Sequence, residues 1–453
     1  MKIKQLLPIG LLLVGGATMH AQQKQPLSLE EAVNLAVTKS TEASLADTRV
    51  ETSKLELDNA KNTAYPSFTL TGQYLRVTDP TINLKSSSGT SSTDESNTSG
   101  GGSSLPTVNS AMFSLANASL PIFAGGKVKN SIAASDNAYK AQTFNAANTK
   151  EQLALQTVIL YTNLYKAQQS VTLIEENLKS ANQRVKDFTA MEENGLIARN
   201  DLLKSKLQAS TIQISLDEAK KNVITTNYQL VTLLHLPENT EIAVQNGYFK
   251  NETAQVAITE AEAIAQRADL EALRYQEKAS ENEIKIARAG YYPSLSLAAG
   301  YVYLNVPNFV EVYNAANVGV GLSYDIAGIW KNNKKVKAAE SRRKETHQQL
   351  DLMTEQVKVQ VNTALENYNF AIKQNKVYTE AVTQADENYR IVKDKYDNGL
   401  VDTNDLLEAD VQQLQAKLNQ TFSKADITER FYELLNASGK LTTSFNLTQN
   451  KNN

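Results

Sequence analysis

Residues 193–203 read ENGLIARNDLL, and residues 397–407 read DNGLVDTNDLL, at an offset of 204 residues. In both stretches an Asn-Gly pair ends a helical apolar pattern, and an Asn-Asp pair begins the next one. Glycine after asparagine is typical of a helix C-terminus, and aspartate is typical of a helix N-terminus. The two stretches therefore predict an internal duplication with a helical hairpin in each half.

A second repeated motif brackets an insertion. Tyr65-Pro66-Ser67 returns as Tyr292-Pro293-Ser294, at an offset of 227 residues. The difference between the two offsets falls on residues 85–105, which are rich in Ser and Gly. Because such a composition cannot build a core, this stretch is predicted to be a flexible loop.

The helical segments carry heptad patterns and differ in length. Residues 125–194 and 329–398 contain no proline, and each has room for a helix about 100 Å long. Segments about half as long are predicted at 29–62, 201–236, 258–289 and 405–436. One long helix and two short ones end to end would form a rod of about 100 Å. Asn375 on one apolar seam is a candidate register residue, and Val411 lies on another seam.

Four segments alternate between apolar and small polar residues, at about 66–77, 110–122, 293–304 and 317–327. Such alternation is typical of transmembrane β-barrel strands and also of a soluble antiparallel sheet. Four strands cannot close a barrel, since roughly eight are the practical minimum. A membrane barrel would therefore need strands from several chains, and three chains would supply twelve.

Composition excludes several classes of function. The net charge of −3 offers no basic surface for nucleic acid, and the chain has no cysteine and three scattered histidines, so no metal site is expected. The sequence has no nucleophile elbow, phosphate loop or HExxH motif, so neither an enzyme nor a bound cofactor is expected. Residues 1–21 have the layout of a secretory signal peptide, and no later apolar run is long enough for a spanning helix.

The order and spacing of these motifs, with the segment 120–126 reading LPIFAGG, resemble the outer-membrane efflux protein family, the TolC-like channels. The resemblance implies a mixed fold: a long α-helical coiled-coil barrel plus four β-strands per chain in a trimeric, twelve-stranded transmembrane β-barrel. It implies a homotrimer in outer-membrane lipid that extends into the periplasm. The implied partners are a periplasmic adaptor protein and an inner-membrane pump of the resistance-nodulation-division or ATP-binding cassette type.

The resemblance also implies a function, namely passive export of drugs and other small solutes, or of secreted proteins, gated at the periplasmic helical tip. At this tip it assigns Gly195, Leu196, Gly399 and Leu400 to contact with the adaptor. The competing interpretation of the two glycines is a left-handed helix end alone. The alternative for the whole protein is a secreted or surface-anchored coiled-coil adhesin without a pore.

Acidic residues after the second turn form a constriction ring in the resembled family, which points to Asp405 and Glu408, with Asp201 as the first-copy counterpart. The competing interpretation is a capping box with Asp405 at the N-cap and Glu408 at the third helical position. The first copy has Lys204 where Glu408 stands, and Val401 replaces the basic residue by which family members lock the tip.

Two further groups of residues border the predicted strands. Gly125 and Gly126 are predicted to mark a strand-to-helix transition. Trp330, with three lysines close behind it, has the composition of a membrane interface, and Tyr292 and Tyr65 are candidates for the same belt.

The predicted domain organisation follows the duplication. After the signal peptide, the first repeat covers residues 22–237 and contains the loop at 85–105, which the resemblance puts outside the cell. An inter-repeat linker in the equatorial region covers 238–257, the second repeat covers 258–440, and a disordered tail covers 441–453.

Overall fold

The computed structural model describes residues 24–78, 108–245, 247, 249, 258–307 and 309–446. The predicted signal peptide and the Ser/Gly-rich loop at 85–105 lie outside the described residues. Within those ranges, no helix combines the length and the hydropathy that crossing a membrane would require.

The fold is mainly helical with a few strands, as predicted, and the second half repeats the element order of the first. The elements are β1 (Lys24–Leu27), α1 (Leu29–Lys39), α2 (Thr41–Asn62), β2 (Ser67–Arg76), β3 (Ser110–Ala124), α3 (Lys127–Glu193), α4 (Arg199–Leu233), β4 (Glu241–Val244), α5 (Glu260–Gln266), α6 (Ala268–Ala289), β5 (Ser294–Val306), β6 (Val310–Ser323), α7 (Gly328–Asp397), α8 (Thr403–Ala437) and α9 (Leu441–Ser444). The two long helices run without interruption for 67 and 70 residues.

The chain divides into two compact units. The first contains residues up to 47, 146–268 and from 354 onward, and the second contains 48–145 and 269–353.

The second unit contains an antiparallel four-stranded sheet in the order β2-β3-β5-β6. Large apolar side chains such as Phe68 and Leu70 alternate along β2 with Thr69 and Thr71, because successive residues of a strand point to opposite faces. Strands β2 and β6 form the two edges of this sheet.

The fourth strand differs from the prediction of 317–327. It begins at Val310, because this residue pairs with Val306, the last residue of β5. It ends at Ser323, because its partner Ser294 is the first residue of β5 and follows Pro293, which cannot donate to a ladder.

In the first unit, the α3–α4 hairpin buries the predicted apolar seam. Ile174 and Ala181 of α3 pack against an aliphatic row on α4 formed by Ala209, Ile212, Leu216 and Ala219. Asn375 is buried between α7 and α8, where its Oδ1 accepts a hydrogen bond from Ser423 Oγ at 3.0 Å. Within one chain the Val411 side chain is 51% exposed, and its neighbour Asp410 is buried.

The region 238–257, predicted to be a linker, contains a strand. Strand β4 pairs in parallel with β1, so that the start of the described chain and the inter-repeat segment form a small sheet. Tyr161 holds both strands, because its hydroxyl donates to Leu27 O at 2.7 Å and accepts from Gln245 N at 3.1 Å. Local patterning could not find this pairing, because the two strands are four residues long and far apart in sequence.

The tail predicted to be disordered from 441 is ordered as far as 446. Leu441 and Phe445 are buried, and the ring of Phe445 stacks on Tyr432 at 5.1 Å between centroids. The Glu151 carboxylate of α3 accepts hydrogen bonds from the backbone N–H and the hydroxyl of Thr442. These contacts explain why a short polar segment is folded at this position.

Candidate functional site: the helical turns and the strand ends

The two Asn-Gly turns have the same backbone hydrogen bonds. After α3, Gly195 N donates to Glu192 O at 2.9 Å and Leu196 N donates to Met191 O at 2.8 Å. After α7, Gly399 and Leu400 repeat both bonds at the same distances. Both glycines have φ of +69°, so each turn is a Schellman motif, whose left-handed residue is most often glycine.

The turns present apolar side chains to solvent. Leu196 is 72% exposed and Leu400 is 73% exposed, each next to a glycine that has open space where a Cβ would stand. Exposed leucines beside a small residue suit contact with another protein, since they offer apolar area without steric obstruction.

The capping box of α8 lies three residues earlier than predicted. Asp402 is the N-cap, accepting from Asn404 N at 2.7 Å and Asp405 N at 3.2 Å, and Asp405 is the acidic residue at the third position. The prediction that Asp405 is the N-cap was wrong, because the helix already begins at Thr403. Glu408 therefore takes no part in the cap, and its Oε1 accepts a hydrogen bond from Gln412 Nε2 at 3.0 Å.

Asp405 and Glu408 are both exposed and lie three residues apart on one side of α8. Asp201 differs from them, because Lys204 Nζ lies 3.7 Å from its carboxylate. The backbone N–H groups of Asp405 and Asn404 lower the pKa of Asp402, and the nearby Lys204 ammonium adds to this effect. Lys204 therefore partly neutralises the acidic groups between the two turns.

Sequence reasoning missed a buried ion pair near the turns. Arg184 Nη1 of α3 lies 3.3 Å from Asp410 Oδ2 of α8, and both side chains are less than a tenth exposed. Asn177 Nδ2 donates to the other Asp410 oxygen at 3.2 Å, and Arg184 Nη2 donates to Tyr389 OH of α7 at 3.5 Å. The cluster joins three helices.

Burial alone would lower the pKa of Arg184, but the Asp410 carboxylate and the Tyr389 hydroxyl outweigh it, so that the pKa is raised. The guanidinium therefore stays charged in its buried position. A signal for this pair existed in the sequence. Arg184 lies three residues after Ala181 and directly before the seam residue Val185, so a charged residue flanks the apolar seam.

The strand ends lie in the second unit. Gly125 and Gly126 have φ of +61° and +81°, between the last residue of β3 and the first residue of α3. A Cβ on Gly125 would stand 2.7 Å from Ala289 O, so this position needs glycine for space as well as for conformation. Trp330 lies in the first turn of α7, and Tyr65 and Tyr292 precede β2 and β5; all three rings are exposed.

No cluster of three or more metal-ligating side chains occurs in the part of the chain that the structure describes. The site thus consists of two glycine turns with exposed leucines, two exposed acidic residues on α8, and exposed aromatic rings at the strand ends.

A model of the outer membrane efflux protein family matches residues 79–234 and 261–440. The chain belongs to this family. The outer membrane efflux protein BepC of Brucella suis biovar 1 is 22% identical over 324 residues, which cover 71% of this chain and 70% of the relative. The outer membrane protein TolC of Vibrio cholerae is 23% identical over 307 residues, which cover 65% of this chain and 69% of the relative.

Solved structures with the same fold include VceC from Vibrio cholerae, with a TM-score of 0.75 and 16% identity over 91% of this chain and 96% of that one. The MtrE channel of Neisseria gonorrhoeae has a TM-score of 0.72 and 18% identity over 91% of this chain and 88% of that one. The predicted mixed fold, mainly helical with a few strands, is confirmed, and so is the predicted outer membrane efflux protein family; the protein is not an enzyme.

Proposed function

We propose that three copies of this chain form the outer-membrane exit duct of a tripartite efflux or type I secretion system, through which small molecules leave the periplasm passively. The observation that carries the proposal is a pair of exposed apolar rows in the first unit, on α4 and on α7. The row on α4 consists of Leu203, Leu207, Ile214, Ile224 and Tyr228, and the row on α7 consists of Val359, Phe370, Val377 and Ile391.

Two different rows on one chain favour a head-to-tail interface, in which α4 of one copy meets α7 of the next. Such an interface closes into a ring when the rotation per copy divides a full turn. The four-stranded sheet supports the same arrangement, because its edges β2 and β6 are different strands. Three sheets joined edge to edge would make a barrel of twelve strands and leave no open edge in lipid.

The helical turns would then form the periplasmic end of the duct. Gly195, Leu196, Gly399 and Leu400 would contact the adaptor protein, since these residues offer exposed apolar area at both turns. Threefold symmetry would gather Asp405 and Glu408 into a ring of six carboxylates, which would favour cations and repel anions. Asp201 would contribute less to this ring because it is paired with Lys204.

In the second unit, Trp330, Tyr292 and Tyr65 would lie at the membrane interface, where aromatic side chains with one wet end are favoured. Because the sequence has no nucleotide-binding motif, energy would come from an inner-membrane pump of the resistance-nodulation-division or ATP-binding cassette type.

The proposal is tested by reconstituting the purified protein in a planar lipid bilayer. A duct gives discrete conductance steps that prefer cations, and the double variant Asp405→Ala with Glu408→Ala should lose most of that preference. Asp201→Ala is the matched control and should change selectivity little. A protein that assembles in lipid but never conducts would contradict the proposal and leave the adhesin alternative.

A further inference from the structure

A groove of about 680 Å³ lies in the first unit beside the ring of Tyr228. Its apolar wall consists of Val171 on α3 with Val223, Ile224 and Tyr228 on α4, and residues 238–243 form the opposite wall. Tyr228 is 56% exposed and Ile224 is exposed too, so the groove presents apolar surface to its surroundings.

The walls of the groove are held rigidly by two amide side chains. Asn227 donates to Thr240 O at 2.9 Å and accepts from Ile242 N at 2.9 Å. Gln168 donates to Ile242 O at 2.7 Å. Since these bonds fix the backbone of the 238–243 segment to α3 and α4, the groove is formed before anything binds in it.

The second repeat indicates which kind of side chain would cover the exposed ring of Tyr228. Tyr432 corresponds to Tyr228 at the offset of 204 residues, and its ring is covered by the stacked ring of Phe445. In the first repeat the chain continues into β4 instead of α9, and the aromatic residue that follows, Phe249, stacks on Tyr165 of α3 rather than on Tyr228. An aromatic ring from elsewhere would complete the first repeat in the same way.

Phe370 of α7 is 62% exposed and lies at the same level along the helices as the groove. Two contacts establish this level. The ring of Tyr368, two residues before Phe370, lies 5.9 Å from the ring of Phe431 on α8. Glu429, two residues before Phe431, pairs with Lys166 of α3, and Gln168 at the groove is only two residues further along α3.

The charges near the two surfaces have opposite net sign. Lys373 and Lys376 are exposed on α7 within two turns after Phe370, and Glu366 is exposed one turn before it. Glu238 and Glu241 belong to the 238–243 wall of the groove, which Lys220 of α4 also lines. Opposite charges around an apolar contact favour one partner and one register.

We propose that the Tyr228 groove of one chain receives Phe370 of a second copy, with Lys373 and Lys376 facing Glu238 and Glu241. This inference rests on the trimer proposed above. Cyclic symmetry involves no translation along its axis, so in a ring of parallel chains a residue keeps its height from one copy to the next. A side chain level with the groove in its own chain is therefore level with the groove of its neighbour.

The absence of cysteine allows a direct test in the full-length protein. Two differently tagged chains are co-expressed, one with Tyr228→Cys and the other with Phe370→Cys, and treated in the membrane with a short thiol crosslinker. The expected result is a covalent dimer carrying both tags. The chain with both substitutions should give a covalently closed trimer, because each copy is linked to the next.

The matched control pairs Tyr228→Cys with Ile391→Cys, which lies in the same exposed row of α7 but about 31 Å further along the helix. This pair should give no crosslink. A crosslink of Tyr228→Cys to Ile391→Cys, or only to a different protein, would overturn the inference. A native trimer without the 228–370 crosslink would also overturn it, while leaving the proposed function intact; monomers alone would count against both.

Charge reversal provides a second measurement. Lys373→Glu with Lys376→Glu should lower the trimer fraction on native gels several-fold. Adding Glu238→Lys with Glu241→Lys should restore it, since the sign of both surfaces is then reversed. Failure of restoration in a folded protein would contradict the proposed pairing of these charges.

Discussion

The turn after α3 and the turn after α7 have one backbone and two sets of side chains. Both are Schellman motifs with the same two backbone bonds, and both leave a leucine exposed. Beyond the turns they differ: the N-cap is Ala198 in the first copy and Asp402 in the second, and Lys206 corresponds to Asp410. The comparison teaches that glycine determines the turn, whereas the charges around it are free to diverge.

The strongest divergence is at Asp410, which is buried against Arg184, while Lys206 at the equivalent position is exposed. Arg184→Ala should cost about 3–5 kcal/mol, because Asp410 would be left buried without its partner. Thermal unfolding in detergent measures this, and Lys206→Ala should have almost no effect. The double variant Arg184→Met with Asp410→Leu should recover much of the lost stability, because no buried charge is left without a partner. A double variant as unstable as Arg184→Ala would contradict this explanation.

The N-caps offer a test in both directions. Asp402→Ala removes the side chain that accepts from Asn404 N and Asp405 N, and should cost about 1 kcal/mol. Ala198→Asp adds a cap to α4, which has none, and should stabilise the protein by a similar amount. Chemical denaturation of both variants measures these changes. A change of the same sign in the free energy of unfolding for both variants would contradict the comparison.

The ends of α4 and α8 differ at one left-handed position. His235 has φ of +57° and corresponds to Gly439, which has φ of +71°. His235→Gly should stabilise the protein by up to about 1 kcal/mol, since the left-handed strain is removed. The reverse change Gly439→His should destabilise, because a Cβ there would also stand 3.1 Å from Arg267 Cα. Thermal unfolding should show a higher melting temperature for His235→Gly and a lower one for Gly439→His.

The smallest expected effect concerns pH. Burial raises the pKa of Glu151 above its ordinary value of 4.5, although the bonds from Thr442 oppose this. A raised folded-state pKa adds stability at acidic pH that is lost as the pH rises through that pKa. Glu151→Gln should therefore flatten the fall in stability as the pH rises above about 4.5. Glu355 is its exposed counterpart in the second repeat, so Glu355→Gln is the matched control for the substitution itself.

Most of the fold was predictable because it depends on local pattern. The heptads and the absence of proline predicted α3 and α7 nearly to the residue, and alternation predicted three of the four sheet strands closely. The first turns of α8 were predicted with the wrong cap, since Asp402 and Asp405 are both good caps and only the helix start distinguishes them. The β1–β4 pairing and the folded residues 441–446 depend on distant contacts that leave no periodic signal.

By itself, the sequence determined the duplication, the long helices, the glycine turns and the outer-membrane efflux family, because each follows from spacing along the chain. Only the tertiary structure decided which charged residues beside the seams are buried as a pair, as Arg184 and Asp410 are, and which aromatic rings stay uncovered, as at Tyr228. Burial and pairing are properties of neighbours in space, and heptad spacing specifies only which face of a helix a residue occupies.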